Sequence, residues 1–253
     1  MDLQLGGRRA LVTGGTKGIG RAVVEALAAE GAAVAFCARS EADVRATVAE
    51  LSASGATVTG HAVDVADGPA LTAWVEDTAR ELGGLDIVVC NVSALAFGTT
   101  EEHWRSSFEV DLMHAVRIVD TALPHLERSE CGSIITVSSV SARELDFTAP
   151  PYGAMKAALV HYTQGLAYRL AGKGIRANTV SPGNTYFQGG VWHRIEDTNP
   201  ELFSESLALN PTGRMGTPEE MAYAVTMLAS PRASFITGTN LVADGALTRG
   251  VQL

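Results

Sequence analysis

The chain has 253 residues, 46% of them hydrophobic, enough to bury one large core, and a formal net charge of −9. That charge repels phosphate backbones and the basic residues form no stripe, so nucleic acid is excluded as a partner. No apolar run reaches the length of a membrane span and Met1-Asp2-Leu3-Gln4 is no secretory signal, so a cytoplasmic protein without a membrane partner is expected.

The first predicted strand covers 9–13 and runs into Thr13-Gly14-Gly15-Thr16-Lys17-Gly18-Ile19-Gly20. Ala22, Val23, Ala26, Leu27 and Ala28 then recur at helical spacing, predicting a helix over 19–30 that stops at Gly31. Strand, glycine turn and helix form the context of a phosphate-binding loop, because glycines permit close backbone approach and free N–H groups at a helix start attract a pyrophosphate. Gly14, Thr16, Lys17, Gly18, Ile19 and Gly20 are therefore candidate cofactor contacts. The spacing G-x-x-x-G-x-G differs from the commoner G-x-G-x-x-G, and a purely structural turn is the alternative.

The second strand, 33–38, ends in Ala38-Arg39. A site for NAD usually places an acidic residue here to bond the ribose hydroxyls, and this chain has none. Arg39 and Lys17 instead offer positive charge to a ribose phosphate, which favours NADP over NAD; the alternative is that both are solvated surface cations. Helices then follow near 41–54, 67–83, 101–128, 152–172 and 218–229, and strands near 57–63, 85–90, 132–138, 175–181 and 239–243. This alternation predicts an α/β fold: one domain over 1–253, with a parallel sheet of about seven strands covered by helices on both faces.

Tyr152 and Lys156 stand four apart on a predicted helix, 13 residues after Ser139. Four-residue spacing puts the ammonium beside the phenol. A free tyrosine titrates near ~10 and is a poor acid–base group at neutrality, and a fixed cation pulls that value toward the working range. With the Ser139 hydroxyl holding the same oxygen, the set suits interconversion of a carbonyl and an alcohol. Alone, the pair also fits an amphipathic helix with one solvated lysine.

The strand at 175–181 closes at Pro182-Gly183, where ligands sit in open α/β sheets. The segment 184–215 beyond it is expected to be a substrate lid, carrying Tyr186, Phe187, Trp192, Phe203, Leu207 and Leu209. Leu95, Phe97, Arg143, Leu145 and Phe147 are expected on the opposite wall of an apolar pocket, with Arg143 offered to an anionic group of a carrier thioester. The rival reading is that the lid aromatics pack the lid or a subunit contact. Cys37, Cys90 and Cys131 have no metal or C-x-x-C spacing and are expected to be free thiols, and the six histidines show no ligand pairing, so no metal is assigned.

In this order and spacing the motifs resemble the short-chain dehydrogenase/reductase family over essentially the whole chain. The matching residues are Thr13 to Gly20, Asp64-Val65, Asn91, Ser139, Tyr152, Lys156, Asn178, Pro182-Gly183 and Asp244-Gly245. The resemblance implies a doubly wound Rossmann-type fold and hydride transfer with a nicotinamide cofactor. It implies that Tyr152 is the general acid/base and that Ser139 orients the substrate oxygen. Lys156 would lower the tyrosine pKa and bond the nicotinamide ribose. Asp64 would meet the adenine edge with Val65 beside it, and Asn91 would pack near the adenosine half of the cofactor; Pro182 and Gly183, from which the lid leaves over the nicotinamide end, are further candidate cofactor contacts. It further implies a homotetramer or homodimer built through the helices at 101–128 and 152–172. Several members reduce 3-oxoacyl thioesters, and others act on steroids, sugars or xenobiotic ketones.

Two positions depart from the family pattern. Ser93 stands where a glycine is usual, and Asp111 where an asparagine is usual; that asparagine is often assigned a water on the proton path to the lysine. A carboxylate at 111 steadies the Lys156 ammonium and raises the tyrosine pKa relative to an amide, so Asp111 joins the candidate catalytic residues; a helix-bending role is the alternative. A protein that binds NADP as a sensor or scaffold without turnover stays open as a different class. A serine hydrolase does not fit, since Ser139 lacks a G-x-S-x-G turn.

Overall fold

The computed structural model describes residues 2–146, 148 and 150–250. Seven strands, β1 (Arg9–Thr13), β2 (Ala33–Ala38), β3 (Val58–Ala62), β4 (Ile87–Cys90), β5 (Ser133–Val137), β6 (Arg176–Pro182) and β7 (Asn240–Ala243), form one parallel sheet in the order β3-β2-β1-β4-β5-β6-β7. The order reverses between β1 and β4, and a crevice opens there beyond the carboxyl ends of the strands. The expected doubly wound α/β domain is the observed one.

Strand residues alternate between two cores because successive side chains point to opposite faces. Val12, Phe36, Val89 and Ile135 face α1 (Gly18–Ala29), α2 (Glu41–Ala53) and α9 (Pro218–Ala229). Leu11, Cys37, Val88 and Ile134 face α3 (Gly68–Glu81), α5 (His114–Leu126) and α6 (Pro150–Leu170). Both layers are needed to hide strands this apolar.

Three differences from the sequence expectation bear on the site. The helix expected over 101–128 is α4 (Glu101–Ser107) and α5 joined by a π-helical turn, Phe108–Met113, which carries Asp111. Helix α6 starts two residues early, because prolines at its first positions lack the N–H that would be unsatisfied there. The segment 184–215 holds two helices, α7 (Val191–Thr198) and α8 (Pro200–Ala208), the second capped by Asn199 on the Leu202 N–H and opened by a proline. Its base is pinned by Tyr186 N–H to Gly216 O and Gly216 N–H to Asn184 O, both at 2.9 Å. No helix among the described residues is long and apolar enough to cross a membrane.

Candidate active site

A cleft of about 650 Å³ runs along the crevice, from the glycine loop to the start of α6. At the loop end, Gly14 and Gly18 adopt left-handed φ of +74° and +54°. A Cβ on Gly20 would lie 2.2 Å from the Gly14 carbonyl oxygen, so only glycine lets α1 begin against the loop. Helix α1 has no side-chain cap and no acidic residue in its first turn. Its first N–H groups and the positive end of its dipole are thus left to an anion, and the cradle fits a dinucleotide pyrophosphate. Gly20→Ala is expected to weaken NADPH binding at least ~10-fold, read by cofactor fluorescence, while the circular dichroism stays native. Wild-type affinity in that variant would mean the loop is no cradle.

Gly14, Thr16, Lys17, Ile19, Gly20, Arg39, Asp64, Val65, Asn91, Pro182 and Gly183 all line the cleft. Gly18 does not; its α-carbon faces the Phe187 ring, where a Cβ would lie 2.5 Å from Cζ. Lys17 also differs from expectation, since its ammonium is paired with Asp43 at 2.8 Å and its charge is largely offset. Arg39 is exposed and forms no ion pair among the described residues. Asn91 ties β4 to β1, its N–H donating to Thr13 Oγ1 at 2.9 Å and its Nδ2 to Thr13 O at 3.0 Å. Ser93 fits without a left-handed backbone of its own; its Oγ accepts the N–H of Leu95, which takes φ +49° instead.

At the other end the structure brings Ser139, Tyr152 and Lys156 together. Ser139 leaves β5 in extended conformation, and Tyr152 lies in the first turn of α6, with the Ser139 hydroxyl close enough to act on the phenol. The Lys156 Nζ sits 5.7 Å from the Tyr152 ring centroid, is 2% exposed, and donates to Val137 O at 3.1 Å. Asp111 approaches it at 3.3 Å and is wholly buried. No hydrogen bond in good geometry reaches either Asp111 oxygen. His114, buried on the next turn, is pushed down to about 3 by desolvation and the nearby Lys156 charge, so its imidazole is neutral.

Burial raises the Tyr152 hydroxyl above its ordinary value. Lys156 and the neighbouring Ser139 hydroxyl pull it down, while Asp111 and Asp146 add to the rise. This corrects the expectation that Lys156 would bring the phenol toward neutrality. The pull exists, but desolvation beside Phe97, whose ring meets Tyr152 edge-on at 5.8 Å, outweighs it.

The expected substrate walls are met in part. Leu95, Phe97, Phe187 and Trp192 line the cleft. Arg143 and Leu145 do not; both are exposed on the loop after β5, and Phe147 lies outside the described residues. Tyr186 and Phe203 pack the lid on itself, Tyr186 donating to Glu196 at 2.5 Å and Trp192 meeting Phe203 at 6.4 Å. Leu209 is 59% exposed. Ser141, Asp146, Thr148 and Arg194 line the cleft without having been singled out in the sequence. The only advance signal was the Ser139-Val140-Ser141 spacing, which also fits an ordinary turn. The three cysteines are unpaired, as expected from their spacing.

A crevice at the sheet's switch point, with a glycine cradle at one end and a Ser–Tyr–Lys set at the other, defines a dinucleotide-dependent oxidoreductase. The family model described as enoyl-(acyl carrier protein) reductase matches residues 14–248. The isoepoxydon dehydrogenase of Penicillium expansum is 41% identical over 255 residues, covering 98% of this chain and 97% of the relative. The 3-oxoacyl-[acyl-carrier-protein] reductase of Vibrio cholerae is 34% identical over 249 residues, covering 97% and 99%. A short-chain dehydrogenase from Burkholderia cenocepacia, solved in complex with NADP, superposes with a TM-score of 0.87 at 31% identity, covering 96% and 99%. The chain belongs to the short-chain dehydrogenase/reductase family and is an NAD(P)-dependent enzyme.

Proposed function

We propose that the enzyme interconverts a ketone and a secondary alcohol, with Tyr152 as general acid/base and Ser139 orienting the substrate oxygen. The observation that carries this reading is the convergence of Ser139, Tyr152 and Lys156 in the same cleft as the glycine loop. When bound, the nicotinamide supplies or accepts the hydride. A neutral Tyr152 phenol gives its proton to the oxygen in reduction and must lose it before oxidation. Lys156 has three donors, of which one goes to Val137 O while Asp111 pairs with the ammonium outside hydrogen-bond geometry, so donors remain for the nicotinamide ribose. Asp111 holds that ammonium in place and keeps the phenol protonated. Residues 184–215 act as the substrate lid over this end.

NADP is the preferred cofactor in this reading. Among the described residues Arg39 at the end of β2 is paired with no carboxylate and no acidic residue stands beside it at 38 or 40, whereas Lys17 contributes little beyond its pair with Asp43. Arg39→Glu is expected to lower the preference for NADPH over NADH at least ~10-fold, read from the two KM values. An unchanged ratio removes Arg39 from the site. For the substrate, the position of Arg143 off the cleft weighs against a carrier thioester, as does the higher identity to the isoepoxydon dehydrogenase. We place the protein in the cytoplasm as a homotetramer or homodimer through α4–α5 and α6. The direct test is the fall of NADPH absorbance with a panel of ketones. A pure binding protein retains cofactor affinity and turns over none.

A further inference from the structure

Three hydroxyl and carboxylate groups beside Tyr152 form a chain whose polarity is fixed from its far end. The Asp146 Oδ2 accepts the Ser141 hydroxyl at 2.5 Å, and its Oδ1 accepts the Thr148 N–H at 2.9 Å and the Thr148 hydroxyl at 2.5 Å. A carboxylate in this setting only accepts, so the single hydroxyl hydrogen of Ser141 is committed to Asp146. The Ser141 Oγ can then only accept from Ser139, 3.1 Å away. The Ser139 Oγ in turn receives the Ser141 N–H at 3.1 Å. While the Tyr152 phenol is neutral, what Ser139 turns toward it and the cleft is one lone pair, its hydrogen being held by the Ser141 Oγ.

We propose that Asp146, acting through Ser141, is a positioning residue that turns the Ser139 hydrogen away from the cleft, so that the site binds a secondary alcohol in preference to the matching ketone. This rests on the reading of Ser139 as the group that orients the substrate oxygen. An alcohol complements the arrangement, since its hydroxyl donates to Ser139 while its oxygen accepts from the neutral Tyr152 phenol. A ketone oxygen also accepts from Tyr152, but it has no hydrogen for Ser139 and meets a lone pair there. An asparagine at 146 can donate as well as accept, which frees the chain to reverse and Ser139 to donate into the cleft.

Cyclohexanol and cyclohexanone serve as the probe pair, as substrates or as competitive inhibitors, with Asp146→Asn, Ser141→Ala, Ser141→Thr and Ser139→Ala. In Asp146→Asn and Ser141→Ala the constant for the alcohol is expected to rise and that for the ketone to fall, moving their ratio about five- to tenfold. The kcat for the alcohol then rises relative to that for the ketone by the same factor, as the fixed overall equilibrium requires. Ser141→Thr, which keeps the hydroxyl, retains the wild-type ratio. Equal changes for both probes, or none, in the first two variants overturn the proposal. Ser139→Ala separates the two levels: if it cripples both directions while the ratio stays fixed in the others, only this inference fails. If Ser139→Ala is itself without effect, the role of Ser139 fails and this inference with it.

Discussion

Tyr152→Phe is expected to lower kcat/KM for ketone reduction about 10²–10⁴-fold while NADPH affinity stays close to wild type. The substitution removes one oxygen. The remaining ring keeps its edge-on contact with Phe97 and its place beneath the Lys156 ammonium, so neither α6 nor the glycine loop is disturbed. The pH dependence of the wild type follows from the direction of the shift. Burial holds the phenol protonated through neutrality, so reduction, which needs the proton, persists there and declines only as pH rises through the raised value. Oxidation, which needs the phenolate, climbs over that same alkaline range. Substantial turnover in Tyr152→Phe would place the proton donor elsewhere.

Asp111→Asn is expected to act on stability and on the pH profile together. Removing one partner of a buried ion pair leaves the other charge uncompensated, at a cost of about 3 kcal/mol where the replacement offers nothing. Asparagine keeps an acceptor for Lys156, so Asp111→Leu is expected to lose more than Asp111→Asn, read by urea unfolding. The profile has its own sign. Asp111 raises the Tyr152 pKa, so its neutralisation lowers it, and the limb set by Tyr152 moves to lower pH. Reduction then declines sooner on the alkaline side and oxidation begins earlier. A loss of stability with an unmoved profile would leave Asp111 as a residue of the π-helical turn only.

The sheet and the glycine loop were legible because their signals are local. Apolar runs such as Ala33–Ala38 bounded by helical spacing have few other folds, and the glycines from Gly14 to Gly20 answer to left-handed backbone at Gly14 and Gly18 and to close approach at Gly20. The two-helix lid was less so: Val191, Trp192 and Ile195 carry helical spacing and Asn199-Pro200 a helix start, but the preceding Pro182-Gly183 break reads as the opening of a loop. Charge partners were hidden altogether. Lys17 meets Asp43 across a turn and a helix start, and nothing in the sequence pairs them. The sign of the Tyr152 shift was misread for a related reason, since Lys156 is visible at four-residue spacing whereas the burial that outweighs it comes from Phe97 and the folded cleft. The Ser139–Ser141–Asp146 chain depends on hydroxyl geometry that only the folded loop supplies.

The most direct measurement uses NADPH carrying deuterium at its transferable position, mixed with ketones and, separately, with α,β-unsaturated thioesters, followed by mass spectrometry and NMR of the products. Label on the carbinol carbon of a new secondary alcohol, absent with Tyr152→Phe, is the predicted result. Label delivered only to an alkene carbon, or NADPH consumed with no labelled alcohol formed, would contradict it.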